Sequence, residues 1–233
     1  FSLWKWGEYF FVGYWEDNQK LGLEQAALFQ NYEALHPVFA AQALRVTENR
    51  LFNTSNSIYD LLAVVENPNE RWVAKLTYHF AFSNGETESR ETVLAPASKR
   101  PVAYFGLESE SFPADLRLVI ENIKWTAVDN HKVSDVVGYV AARSLFLVDN
   151  LEVREPNADS IAVPALSFDL LNQTAFGYWE PVFYVELLNG NRVVGYIYLS
   201  FDKILAFETK KVDLRYFNDK VDFDNIRLIP IID

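Results

Sequence analysis

The sequence predicts a mainly β protein, two tandem homologous β-sandwich domains preceded by a short N-terminal helix. Three observations carry that expectation. Apolar and polar residues alternate at period two, as in Leu76, Tyr78, Phe80 and Phe82 against Lys75, Thr77, His79 and Ala81, which buries one face of a strand and solvates the other. Turn signals punctuate these runs, with Asn-Gly at 84–85 and again at 189–190, because both residues reach the positive φ of a tight hairpin cheaply. Segments of the first half then recur in the second in the same order, the mark of a repeated unit. The 18 Phe, 12 Tyr and 6 Trp among 233 residues suit pleated, half-buried surfaces.

Residues 1–37 stand outside the repeat. FSLWKWGEYFFVGYW holds eight aromatics in 15 residues, and Trp4, Trp6, Phe10, Phe11 and Trp15 are candidate contact residues. Two readings stay open. One is the outer end of a membrane anchor whose helix precedes Phe1, since Trp and Tyr concentrate at membrane interfaces; the other is an aromatic segment packed on a neighbouring domain. The longest apolar run here, Tyr9 to Trp15, is 7 residues, far short of the roughly 18–20 of a spanning helix. Position 1 is Phe rather than Met, so the numbered chain is expected to have lost its initiator and a targeting segment with it. Leu21 to His36 reads as a helix, with Leu21, Leu28, Tyr32 and Leu35 on one stripe and Pro37 ending it.

After Pro37 the chain is written twice. VFAAQALRVTEN (Val38 to Asn49) aligns without gaps to YVAARSLFLVDN (Tyr139 to Asn150) at an offset of 101. AVVEN ending at Asn67 matches FDLLN ending at Asn172, and the two Asn-Gly pairs match, both at an offset of 105. ENIK (Glu121 to Lys124) matches DNIR (Asp224 to Arg227) at 103. These drifts are the size of loop-length changes. Domains at 38–128 and 139–233 follow, with 129–138 as a short polar linker that restricts their relative orientation. About seven short strands per copy favour a sandwich over a barrel. Their inward residues include Phe183, Val185 and Leu187; Val193, Gly195, Ile197 and Leu199; Leu116, Leu118 and Ile120; Ile123, Trp125 and Ala127; Val212, Leu214 and Tyr216; Ile226 and Leu228.

NSIYDLLAVVENPNERW, then YHFAF, an Asn-Gly turn, VLAP and RPVAYF together resemble the Ig-like or fibronectin-like (FxLYD-type) β-sandwich modules of membrane-anchored bacterial envelope proteins, of the candidate-phyla kind. The likeness covers Asn56 to Phe105 well and the second copy less well, where FDLLNQT replaces the Asn-Pro-Asn turn. It implies tandem Ig-like domains, an extracytoplasmic setting and no catalytic residues.

Charge and composition exclude several functions. A net charge of −11 opposes nucleic acid, which is bound by clustered Lys and Arg. No cysteine is present, so disulfides and thiolate chemistry are excluded. His36, His79 and His131 are scattered without metal-ligand spacing, and His79 is expected on a solvated strand face. Neither a P-loop nor G-x-S-x-G occurs, so no cofactor is expected. Asp222 and Asp224 in VDFDN, two apart on an expected strand, share one face and are a weak Ca²⁺ candidate, short of the six or more oxygens such an ion takes. Glu86 with Glu88 and Glu108 with Glu110 repeat that spacing. Asn53 and Asn172 fit glycosylation sequons.

Trp72 and the pair Tyr178-Trp179 follow the matched Asn67 and Asn172 turns, either as core caps or as rings that stack on sugars or apolar ligands. The expected function is a non-enzymatic, extracytoplasmic structural or interaction module of a cell-envelope protein, with a protein partner or self-assembly through the N-terminal segment. Carbohydrate binding through exposed aromatics, or a filament or surface-layer subunit, are the alternatives.

Overall fold

The structure, a computed structural model, describes residues 17, 19–24, 40–129, 131–154, 165–215 and 221–231. Gln42–Asp233 is one compact unit and Phe1–Ala41 another. In the latter, residues 19–24 are helical with Leu21 and Leu23 exposed. The rest of the predicted helix, and Trp4, Trp6, Phe10, Phe11 and Trp15, lie outside the described residues.

The larger unit is built of antiparallel strands in two halves. The first half contains β1 (Arg45–Ser55), β2 (Ile58–Asn67), β3 (Trp72–Phe82), β4 (Gly85–Glu86), β5 (Arg90–Leu94), β6 (Ser98–Glu108) and β7 (Arg117–Ala127). One sheet runs β1-β2-β6; in the other, β3 lies between β7 and the β4 and β5 segments. Period-two alternation aims Leu61, Ala63 and Val65 of β2 and Ala74, Leu76 and Phe80 of β3 into one core. The Tyr78 hydroxyl enters that core and donates to the Ala103 carbonyl at 2.9 Å.

The second half contains β8 (Phe146–Arg154), β9 (Ala165–Asn172), β10 (Tyr178–Trp179), β11 (Val182–Asn189), β12 (Arg192–Ser200), β13 (Lys203–Ile204), β14 (Thr209–Arg215) and β15 (Asn225–Ile231). Its sheets run β8-β9-β14 and β12-β11-β15, with β10 and β13 a two-residue pair. The strand order is that of the first half, so each half is sandwich-like around its own core. Leu166, Phe168 and Leu170 meet Phe183, Val185 and Leu187 in the second. Tyr216, expected in β14, lies outside the described residues.

A third core joins the halves. Leu62 and Ala103, on the outward face of the β1-β2-β6 sheet, pack with Tyr184 and Tyr196 from the outward face of β12-β11-β15. Phe52 meets Tyr196 edge-on at 5.7 Å and Phe105 meets Tyr184 at 5.2 Å, a ring geometry favoured by the aromatic quadrupole. Sheet-on-sheet packing, not linker length alone, therefore fixes the two halves together.

Two of the expected repeat matches need correction, and the segment between the halves is partly helical. The linker expected at 129–138 runs into a helix, Val136–Ala141, capped by the Asp135 carboxylate, which accepts from Gly138 N at 2.9 Å. Any side chain at Gly138 would collide with that carboxylate, because a Cβ there would lie 2.2 Å from Oδ2. The second half's first strand starts at Phe146, 101 residues after Arg45, the offset between the matched segments that begin at Val38 and Tyr139. The two Asn-Gly pairs occupy different turn positions. Phe82 pairs Gly85, leaving Ser83-Asn84 as the loop, whereas Asn189 pairs Arg192, leaving Gly190-Asn191 with Gly190 at φ 58°. ENIK and DNIR are not equivalent either, since Ile123 pairs Leu76 in mid-strand and Ile226 pairs Leu187 at a strand end.

Candidate functional site

Matched asparagines hold the strand ends from which the candidate loops spring. Asn67 is fully buried, and its Nδ2 donates to the Trp72 carbonyl at 2.7 Å and the Ala95 carbonyl at 3.0 Å, while Oδ1 accepts from Asn69 N at 3.1 Å. Asn172, equally buried, donates to the carbonyls of Phe176 and Leu205, each at 2.8 Å, and accepts from Thr174 N at 2.9 Å. A primary amide alone among side chains offers two donors beside an acceptor, which is what a turn with unpaired carbonyls and an unpaired N–H requires. Burial also removes Asn172 as a glycosylation acceptor in the folded protein.

Asn172 thereby ties two loops of the second half into one surface. β10 pairs β13, with Trp179 opposite Lys203, and Glu180 N donates to the Asp202 carbonyl at 2.9 Å. Trp179 is 82% exposed, Phe207 69%, Leu205 56% and Phe176 38%. Two residues of this surface hold left-handed backbone, Glu180 at φ 49° and Phe207 at φ 59°, a conformation uncommon for non-glycine residues. Strain of this kind clusters where function over-determines the backbone. Large contiguous apolar exposure marks interaction surfaces.

The other two aromatic candidates are used structurally. Trp72 is half-buried with its carbonyl on Asn67. Tyr178 turns its hydroxyl to the Arg143 carbonyl at 2.7 Å and its ring to Phe146. Neighbours on a strand face opposite ways, so Trp179 alone of the three is presented outward.

The carboxylate candidates fall in separate places. Asp222 and Asp224 precede β15 and are not on a strand, a correction with a clear cause, because both brace the neighbouring turn. Asp224 accepts from Gly190 N at 3.1 Å and Asp222 from Asn189 Nδ2 at 3.3 Å. Glu108 and Glu110 sit exposed beside the Asn56-Ser57 turn. Among the described residues no group of three or more His, Asp or Glu side chains is arranged to hold a metal ion.

His79 is less solvated than expected. Its Nδ1 lies 2.6 Å from Glu121 Oε1, its Nε2 3.6 Å from Glu86 Oε2, and Ser89 Oγ donates to the same Glu121 oxygen at 2.5 Å. The hydrogen bonds from Ser89 and then His79 hold the Glu121 carboxyl below its ordinary value. Ser, His and Glu meet here without the order of a nucleophile, its base and an orienting acid, because Ser89 bonds the carboxylate and both His79 nitrogens face acids.

Glu186, which sequence reasoning missed, is the buried charge of the third core. Its side chain is 3% exposed; it accepts from the Tyr196 hydroxyl and from Arg227 Nε at 2.5 Å, with Arg50 Nη1 of the first half 3.8 Å away. Burial, with the Glu186 contact second, pushes the Tyr196 hydroxyl's pKa up. The only sequence signal was a charge inside the apolar run VFYVELL.

No helix among the described residues is long and apolar enough to cross a membrane. No protein-family model matches the chain, and no curated protein matches it.

Proposed function

We propose that the chain is a non-enzymatic structural and interaction module of an extracytoplasmic cell-envelope protein, assembling by seating the aromatic N-terminal segment of one copy on the Trp179–Phe207 surface of the next. The observation that carries this reading is that surface: four large apolar side chains held outward on two loops locked by Asn172. The eight aromatics of residues 1–15 supply a ligand of matching chemistry in the same chain. Two different surfaces in contact make a head-to-tail interface, which generates rings or open filaments. The envelope setting rests on the FxLYD-type resemblance.

Light-scattering mass of the intact chain and of a chain starting at Val38 tests the reading. Oligomers for the first and a monomer for the second are expected; monomers for both would overturn it. A second reading, glycan stacking, is favoured by Trp179 with Lys203 Nζ 5.7 Å from its ring, and predicts that glycans quench its fluorescence.

A further inference from the structure

A cavity of about 250 Å³ lies between the two halves. Helix residues Tyr139 and Val140 and the following Arg143 form one wall, Lys99 and Arg100 of β6 a second, and Ile229 of β15 a third. Among the described residues its lining holds three cations and no carboxylate, in a chain whose 32 acids outnumber its 21 bases.

The cations differ in how they are held. Arg100 Nη2 donates to Thr92 Oγ1 at 2.6 Å and to the Val93 carbonyl. The Arg143 guanidinium lies 3.5 Å from the Tyr139 ring centroid and 4.0 Å from that of Phe176, and donates to the Tyr139 carbonyl at 3.2 Å. Among the described residues neither Arg143 nor Lys99 has an acidic partner. Arg143 is thus a pre-positioned planar fork with donors to spare, the geometry that suits a carboxylate. The rest of the lining is apolar apart from Ser98 and Ser144, whose hydroxyls donate to the Ala95 and Val140 carbonyls. A cavity of about 150 Å³ suffices for benzene, so this one has room for a ring or short chain plus an acid group.

We infer that this cavity binds a small apolar anion, an aryl or short alkyl carboxylate, with its hydrocarbon against Val140 and Ile229 and its carboxylate on Arg143 and Lys99. Ligand sites of this type join apolar walls to a few placed polar groups and favour the junction of two domains. The cavity adjoins the surface assigned to assembly, since Arg143 lies over Phe176, but its lining shares no residue with that surface, so ligand titration and the assembly mass of Trp179 and Phe207 variants are read separately.

Titration of phenylacetate into the intact chain, followed by calorimetry, tests the inference. Saturable one-to-one binding is expected, with phenylacetamide and acetate each about tenfold or more weaker, because the first lacks the charge and the second the ring. Arg143→Gln is expected to weaken phenylacetate by about tenfold or more, and Lys99→Gln by a smaller factor. Absence of saturable binding, equal binding of the amide, or binding unchanged in Arg143→Gln overturns the inference. Should Arg143→Gln lose its fold, Lys99→Gln decides, since that side chain is exposed and its removal leaves the packing intact; unchanged affinity there overturns the inference too.

Discussion

Asn67 and Asn172 each bond turn carbonyls and a backbone N–H through a fully buried amide. Replacing Asn172 by Ala removes its bonds to the Leu205 carbonyl and the Thr174 N–H, while the Phe176 carbonyl keeps the Thr174 hydroxyl at 3.1 Å. Since each orphaned buried group costs about 1–3 kcal/mol, urea denaturation is expected to show a loss of about 1–3 kcal/mol. Asp60 offers a pH test. Burial pushes its carboxyl up from 3.8 to about 6, against the lowering effect of the Gly106 N–H that it accepts at 2.9 Å. The folded state therefore holds this proton more tightly than the unfolded one. The resulting stability is fully present below pH 3.8, is lost as pH rises to about 6, and is flat beyond, a swing of about 2–3 kcal/mol. In Asp60→Asn the difference from the wild type should grow in the variant's favour across that window; a pH-independent difference would contradict the assignment.

Among the strands, period-two patterning located β3 well because it has one core face and one wetter face. Strands β11 and β12 instead bury their second face in the third core, and a bulge in their pairing puts Val193, expected inward, into that third core and Val194 into the second half's own core. The patterning also misled at β7, where Leu118 and Ile120 are even-numbered but Ile123 and Trp125 odd. One strand carries both sets, because a bulge interposes Glu121 between Asn122, opposite Thr77, and Ile120, opposite Tyr78. The bulge also aims Glu121 at His79 and Ser89. Deleting Glu121 should leave a regular ladder, with Asn122 and Ile120 as consecutive partners of Thr77 and Tyr78 and both apolar sets still inward, so cooperative unfolding by circular dichroism should be retained. Glu121→Ala, which removes only exposed hydrogen bonds, should leave the unfolding midpoint nearly unchanged. The apolar run of β2 was legible as buried, yet not as buried on both faces; Leu62 looks like Leu61 in sequence but enters a different core. The Trp179–Phe207 surface was half legible. Trp179 was singled out, while Leu205 and Phe207 lie in a loop whose pairing with residues 176–180 depends on Asn172, a contact 33 residues away in sequence.

For the whole molecule, the third core makes the two halves one body. Glu186→Ala leaves the Tyr196 hydroxyl and Arg227 without their shared acceptor, while Arg50 keeps Glu48 at 2.8 Å; because Arg227 is mostly solvated, the expected loss is about 1–3 kcal/mol, below that of a fully buried pair. Calorimetry should then separate the halves' transitions, which in the native chain should coincide. The proposed assembly uses a different face, and its decisive test is the light-scattering mass of the intact chain carrying Trp179→Ser and Phe207→Ser beside the unaltered chain. Oligomers are expected for the unaltered chain and folded monomers for the double variant. Oligomers of unchanged mass in the variant would refute the proposal, because assembly would then proceed without the surface to which it is assigned.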